Sequence, residues 1–124
     1  MTVACGDDSV TSPTDSAPFS QTDLRVGTGA EASAGRRLTV NYTGWLYSAS
    51  AAQNKGRQFD SGTFSFVLGS GQVIRGWDQG LAGMRVGGLR RIVIPPELAY
   101  GSRGQGPIPP NATLLFDVEL TAVD

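Results

Sequence analysis

The sequence predicts an α+β domain in which a twisted antiparallel sheet of about five strands wraps around one short helix. Several short segments alternate apolar and polar residues, which is the spacing of half-buried strands. One segment, at residues 71–84, instead repeats its large apolar residues at helical spacing. The 124 residues suffice for a single modest core, so we expect the helix and the sheet to share it.

Composition excludes several kinds of function. Ten basic and eleven acidic residues nearly cancel, so we expect no nucleic-acid partner. The chain contains no histidine, which excludes a histidine general base, a Ser/His/Asp site and a histidine-ligated metal. Its single cysteine excludes an internal disulfide and a thiolate metal cluster. Any chemistry must depend on shape, dipoles and one or two carboxylates, and we expect no cofactor and no metal.

Residues 1–22 are rich in Ser, Thr, Asp, Ala and Pro, and we predict a disordered leader there, followed by one folded domain at 23–124. Around Cys5 the leader resembles the cleavage junction of a bacterial lipoprotein, although Thr2 stands where leucine is usual and the long apolar part of a signal peptide is missing. Two interpretations stay open. Cys5 is the lipidated anchor of a cell-envelope or periplasmic protein, or it is an accidental cysteine in the tail of a cytoplasmic one.

Two strands and an excursion are predicted first. The first strand covers residues 24–26, and the second covers 38–43, where Tyr42 faces inward. Residues 47–58 lack a consistent apolar period. We therefore expect an exposed excursion between the second strand and the third.

A third strand and the helix follow. The strand covers residues 64–68 and places Phe66 in the core. The helix starts near Gly76 and ends before Gly83, and Asp78 lies in its first turn, where a negative charge suits the helix dipole. A helix this short is not stable alone and must pack on the sheet. Its apolar face comprises Ile74, Trp77, Leu81 and Met84.

Two more strands complete the predicted sheet, at residues 89–94 and 114–120. Between them lies a loop at residues 99–111 that is dense in Gly and Pro. Loops of this length are usually functional or disordered, and Tyr100 and Ile108 favour a packed functional loop here.

Five segments stand in an order that identifies a family: VNYTG (40–44), FDS (59–61), LGSGQVIRGWD (68–78), IPPELAYG (94–101) and IPPNATLLFDVEL (108–120). On these segments, residues 24–124 resemble the FKBP family, the macrolide-binding peptidyl-prolyl cis/trans isomerases. None of the segments would suffice alone, but together they make a chance resemblance improbable.

The resemblance implies a proline-binding pocket between the sheet and the helix. Trp77 would form its floor beneath the substrate proline ring. The backbone N–H of Ile74 and the hydroxyl of Tyr100 would donate hydrogen bonds to ligand carbonyls, and the carboxylate of Asp60 would lie near the twisting amide. These four are the implied catalytic residues. The implied binding residues are Tyr42, Phe59, Phe64, Val73, Ile108 and Phe116.

The implied reaction agrees with the composition, because rotation about an X-Pro bond needs no nucleophile, metal or cofactor. We expect a monomer that acts on proline-containing polypeptides during protein folding and that macrolides such as rapamycin or tacrolimus inhibit. The alternative is a non-catalytic peptide-binding or holdase module that uses the same apolar pocket. The completeness of the pocket set favours the enzyme.

The sequence departs from the family pattern after the FDS segment, where many members carry a basic residue that orients the aspartate. No basic residue follows here before Phe64. Our hypothesis is that Lys55 or Arg57 returns toward Asp60 instead. Pro107 stands where an apolar branched residue is common, which would stiffen the long loop. The pairs Arg36-Arg37 and Arg90-Arg91 are interpreted as solvated charges.

Overall fold

The computed structural model describes residues 17–106 and 108–124. In these ranges the chain forms β1 (Ser20–Arg25), β2 (Arg37–Tyr47), β3 (Lys55–Val67), α1 (Arg75–Gly80), β4 (Leu89–Ile94) and β5 (Leu114–Val123). Short 3-10 turns occur at Ala52–Asn54 and Pro96–Leu98. No helix in these ranges is long and apolar enough to cross a bilayer. The predictions for Cys5 and the rest of residues 1–16, and for Pro107, lie outside the described residues.

The strands form one sheet in the order β1-β4-β5-β2-β3, and every neighbouring pair is antiparallel. The sheet faces the short helix α1. The predicted fold class, an antiparallel sheet with one short helix, is therefore confirmed.

The core lies between the sheet and the helical segment, as the alternating sequence pattern predicts. Phe66 is 2% exposed, so its assignment to the core holds. On the helical side, Trp77, Leu81 and Met84 are buried, and Ile74 is half-buried. The buried sheet residues that belong to the same cluster are Leu38, Val40, Phe66, Ile92, Ile94, Leu114, Phe116, Val118 and Leu120.

Glycine allows α1 to lie directly on β4. A Cβ atom added at Gly76 would lie 2.5 Å from Cγ2 of Ile94, and one added at Gly80 would lie 2.6 Å from Cγ2 of Ile92. Both distances are below van der Waals contact. Glycine destabilises a helix relative to alanine. Here that cost is offset because the helix backbone can approach β4 more closely than any side chain would permit.

Asp78 anchors the turn that leads into α1. Its carboxylate accepts hydrogen bonds from the N–H groups of Gly69 at 2.8 Å and Gly71 at 3.2 Å. Both glycines have positive φ, +83° and +78°, a conformation that favours glycine. The carboxylate in the first turn of the helix therefore also fixes the chain between β3 and α1.

The predicted boundary of the leader, residue 22, is wrong. β1 begins at Ser20, and Thr22 pairs with Arg91 of β4. Phe19 packs against the core ahead of the strand. Every residue of β1 is exposed, so the strand lacks the apolar alternation by which its start would be recognised.

The predicted excursion at 47–58 is also too long, because β3 begins at Lys55 and pairs there with Tyr47. The pairing of β2 with β3 is irregular between Gly44 and Tyr47, which interrupts the period of two. β3 lies at the edge of the sheet and most of its residues are exposed or half-buried. An edge strand with little buried surface carries a weak apolar pattern.

Arg90 is not a solvated charge, contrary to the prediction. It is 7% exposed, and its guanidinium donates to the carbonyl oxygens of Gly80 at 2.8 Å and Ala82 at 3.0 Å. Its Nε lies 2.7 Å from Oδ1 of Asp23 in β1. A charged side chain can be buried when its hydrogen-bond donors meet acceptors and its charge is paired. Arg90 therefore holds the end of α1 and links it to the edge strand.

We expect Gly76→Ala to lower the free energy of unfolding by about 1–3 kcal/mol, because the added methyl group overlaps Ile94. Chemical denaturation measures the change. Ile94→Ala removes the three side-chain atoms that the methyl group would meet. The double variant should therefore lose less stability than the sum of the two single variants. Strict additivity would contradict this account of the contact.

Candidate active site

A cleft with a cavity volume of about 200 Å³ lies between α1 and the sheet. Pockets for drug-sized ligands typically measure ~300–1,000 Å³, so this cleft accommodates one part of a larger molecule. The lining is contributed by β2, β3, the turn before α1, α1 itself, the loop after β4, and β5. The lining residues are Tyr42, Phe59, Asp60, Phe64, Gln72, Val73, Ile74, Trp77, Tyr100 and Phe116.

The structure brings together nine of the ten residues that the sequence assigned to the pocket. The exception is Ile108, which is 6% exposed and packs in the core cluster. Its backbone N–H donates to the carbonyl of Gln105, and its carbonyl accepts from the N–H of Gln105, both at 2.9 Å. This pair of bonds holds Ile108 where its side chain packs in the core cluster.

Gln72 also lines the cleft, although it is not among the residues predicted from the sequence. It directly precedes Val73 and Ile74, which were both selected. Its adjacency to them was the only sequence signal. An exposed glutamine in a turn has no apolar periodicity that would distinguish it.

The floor of the cleft is Trp77, which is 5% exposed. Its ring meets Tyr42 edge-on at 5.2 Å and 77°, and Phe116 edge-on at 5.3 Å and 84°. Phe66 lies 5.7 Å from it at 50°. Edge-to-face geometry is favourable and directional, so these neighbours fix the plane of the indole. The indole Nε1 is buried and has no partner among the described residues.

A second aromatic pair forms one wall. Phe59 meets Phe116 edge-on at 5.6 Å and 87°. Both rings pack over Gly44, where an added Cβ atom would lie 2.7 Å from Phe59 and 2.8 Å from Phe116. Phe64 is 44% exposed and stacks on Phe66 at 6.1 Å, so it forms the rim of the cleft rather than its interior.

The carboxylate of Asp60 is oriented by neighbours on the sheet. Its Oδ2 accepts a hydrogen bond from the hydroxyl of Tyr42 at 2.8 Å. Its Oδ1 accepts one from the N–H of Ser61, also at 2.8 Å. Because both oxygens have fixed donors, Asp60 presents a stationary negative charge at the wall of the cleft.

The hypothesis that Lys55 or Arg57 orients Asp60 is wrong. Lys55 Nζ lies 3.3 Å from Oδ2 of Asp117 and 4.3 Å from the ring centroid of Trp45. No hydrogen bond or ion pair joins Arg57 to Asp60 in the part of the chain that the structure describes. Tyr42 takes the orienting role because its inward position on β2 places its hydroxyl beside the carboxylate.

Two phenols near Asp60 are held in the protonated form. Burial, then the hydrogen bond to Asp60 and its charge, raises the pKa of Tyr42 to about 12. Burial and the charge of Asp60 also raise the pKa of Tyr100. Both groups therefore remain donors at neutral pH.

Two donors in the cleft are available to a bound molecule. Neither the hydroxyl of Tyr100 nor the N–H of Ile74 has an acceptor among the described residues. Ile74 stands just before α1, with φ of −60° and ψ of 152°. Its carbonyl accepts from the N–H groups of Trp77 and Asp78, so the first turn of the helix fixes the peptide plane between Ile74 and Arg75, which adjoins the one that carries the free N–H. The cleft thus combines an apolar floor, a fixed carboxylate and free donors.

Known proteins are similar to this chain in sequence and in fold. The family model described as FKBP-type peptidyl-prolyl cis-trans isomerase matches residues 29–121. An FK506-binding protein of Neisseria meningitidis serogroup A is 49% identical over 107 residues, which covers 82% of this chain and 92% of that protein. The 39 kDa FK506-binding nuclear protein of Drosophila melanogaster is 51% identical over 106 residues, covering 82% of this chain and 28% of that protein.

Two solved structures are also similar to this chain. The crystal structure of AtFKBP13 superposes with a TM-score of 0.74 at 38% identity, covering 89% of this chain and 98% of that one. The crystal structure of FkpA from Escherichia coli superposes with a TM-score of 0.72 at 39% identity, covering 86% of this chain and 48% of that one.

The titration of Tyr42 gives a test of the site's electrostatics. The folded pKa, about 12, exceeds the ordinary value of 10.0, so the stability that neutral Tyr42 contributes is complete below pH 10.0 and is lost as pH rises through about 12. Asp60→Asn removes the charge but not the burial, so it should move the pKa only part of the way toward 10.0. The phenolate absorbance difference between each protein and its Tyr42→Phe counterpart isolates this group. An unchanged pKa in Asp60→Asn would show that the carboxylate does not act on Tyr42.

Proposed function

Because this chain belongs to the FKBP-type peptidyl-prolyl cis-trans isomerase family and is an isomerase of X-Pro bonds, we propose that its cleft is where those bonds rotate. The observation that carries the proposal is the arrangement around Trp77, in which an apolar floor, the charge of Asp60 and the free donors of Tyr100 and Ile74 face one small space. Its substrates are proline-containing polypeptides, and it assists their folding.

The barrier to rotation arises from amide resonance and amounts to about 18–20 kcal/mol. Resonance places negative charge on the carbonyl oxygen, so water stabilises the planar amide more than the twisted one. A cleft that removes water from this oxygen therefore favours the twisted form selectively. An acceleration of about a millionfold would require ~8 kcal/mol of such selective stabilisation.

Each part of the cleft has a proposed role in that selectivity. The indole of Trp77, held edge-on by its aromatic neighbours, supports the proline ring. Tyr100 and Ile74 donate to carbonyls of the bound polypeptide and hold the chain in place while the bond turns. Asp60 supplies a fixed negative charge that disfavours the planar amide when the carbonyl oxygen is turned toward it.

The rim of the cleft favours apolar partners. Phe59 and the exposed ring of Phe64 provide apolar surface beside the floor, which would favour a bulky apolar residue before the proline. A macrolide such as rapamycin or tacrolimus would insert one part into the same cleft, as the names of the FK506-binding relatives suggest. We propose a monomer as the active unit, because a single chain supplies the floor, the carboxylate and both donors of the cleft.

The first experiment measures the cis/trans exchange rate of a short Leu-Pro peptide by NMR exchange, with and without the protein and with rapamycin. We expect acceleration that rapamycin abolishes. Tyr100→Phe removes one hydrogen-bond donor and should lower kcat/KM by about threefold to tenfold. Tyr47→Phe is the matched control, because Tyr47 does not line the cleft, and it should leave kcat/KM unchanged.

The outcomes separate the enzyme from the peptide-binding or holdase alternative. Binding of rapamycin without any acceleration would favour the binding module. Equal losses in Tyr100→Phe and Tyr47→Phe would contradict the role of the Tyr100 hydroxyl.

We also propose a location in the bacterial cell envelope, with Cys5 as a lipid anchor. The support is the run of small residues Val3, Ala4 and Gly6 around Cys5 and the polar residues that follow. A cytoplasmic protein is the alternative.

Metabolic labelling tests the anchor. The chain, expressed in bacteria behind an export signal, should incorporate an alkyne-tagged fatty acid, and Cys5→Ser should abolish the label. Adding Ser9→Cys to Cys5→Ser restores a thiol four residues later and should not restore the label. An unlabelled wild-type chain would remove the support for an anchor.

A further inference from the structure

In the side-chain amide of Gln72, the oxygen and the nitrogen can be told apart by their partners. It lines the cleft from the turn before α1, and its Oε1 accepts a hydrogen bond of 2.7 Å from the N–H of Val67 at the end of β3. A backbone N–H can only donate, so the atom that meets it must be the oxygen of the amide. The NH₂ group of Gln72 is therefore the end that remains for other partners.

That NH₂ group has no acceptor among the described residues. The same is true of the Tyr100 hydroxyl proton and the Ile74 N–H, whereas both oxygens of Asp60 already accept hydrogen bonds. These three groups can therefore each donate a hydrogen bond to a bound molecule. Donors are matched by carbonyl oxygens, which an extended polypeptide offers at every residue.

We propose that Gln72 is a further substrate-binding residue that donates a hydrogen bond from its NH₂ group to a backbone carbonyl of the polypeptide, outside the rotating X-Pro bond. The inference rests on the proposed function, since it assigns a contact to the polypeptide that the cleft isomerises. The bond to Val67 already restrains the glutamine side chain, so little rotamer freedom is lost on binding.

This contact should affect binding rather than the rotation itself. A carbonyl outside the rotating bond carries the same charge in the planar and the twisted states. Its hydrogen bond to Gln72 therefore stabilises both states equally, which changes KM and leaves kcat unaltered.

The test compares Gln72→Glu with Gln72→Met. Glutamate retains an oxygen for the Val67 N–H but has no NH₂ group, whereas methionine lacks both. We expect Gln72→Glu to raise KM, and the Kd for a Leu-Pro peptide measured by NMR titration, by about threefold to tenfold with kcat unchanged. The amide resonance of Val67 should move in Gln72→Met and stay in place in Gln72→Glu.

Gln79→Glu is the matched control for the added negative charge. Gln79 is exposed on α1 and does not line the cleft, so this variant should bind like the wild type. Equal weakening by Gln79→Glu and Gln72→Glu would assign the effect to charge and overturn the proposal. Weakening by Gln72→Met alone would show that Gln72 only anchors the turn, and unaltered binding in both Gln72 variants would also overturn the proposal.

The two proposals fail in different measurements. Wild-type protein that binds the peptide without accelerating exchange contradicts the proposed function, while the Kd values still decide the role of Gln72. Wild-type protein that does not bind the peptide contradicts both.

Discussion

At the contact between α1 and β4, Gly76 and Gly80 face Ile94 and Ile92 with no space for a side chain on the helix. This close approach sets how far the helix lies from the sheet, and so how deep Trp77 lies below the rim of the cleft. At that separation the aromatic residues of β2 and β5 meet the indole edge-on. The shape of the cleft thus depends on two positions that contribute no side chain to it.

A helix of six residues cannot be stable by itself, and polar side chains hold both its ends. Asp78 ties its first turn to the glycines that follow β3. Arg90 holds the other end of the helix. It donates to the carbonyls of Gly80 and Ala82, and Asp23 neutralises its charge. Two charged residues outside the cleft therefore maintain the element that carries its floor.

The sequence was sufficient to predict the elements whose faces are buried, including the position of β4 and the core role of Phe66, because burial imposes periodicity. It was insufficient at both edges of the sheet, where exposed strands need no apolar alternation. The sequence was also insufficient to predict the surroundings of charged side chains. Lys55 binds Asp117 and Arg90 is buried, and both facts depend on which strands are neighbours rather than on local sequence. For the same reason the core position of Ile108 and the anchored side chain of Gln72 required the folded chain.

The strand order places β5, the last strand along the chain, in the middle of the sheet, between β4 and β2. During synthesis, the earlier strands therefore emerge as two separate groups, β1 with β4 and β2 with β3, that have no shared neighbour. Only the arrival of β5 joins them and supplies Phe116 to the cleft. Pairings between distant segments are slow to form. The cleft can accordingly form only after β5 has left the ribosome, however early the other strands pair.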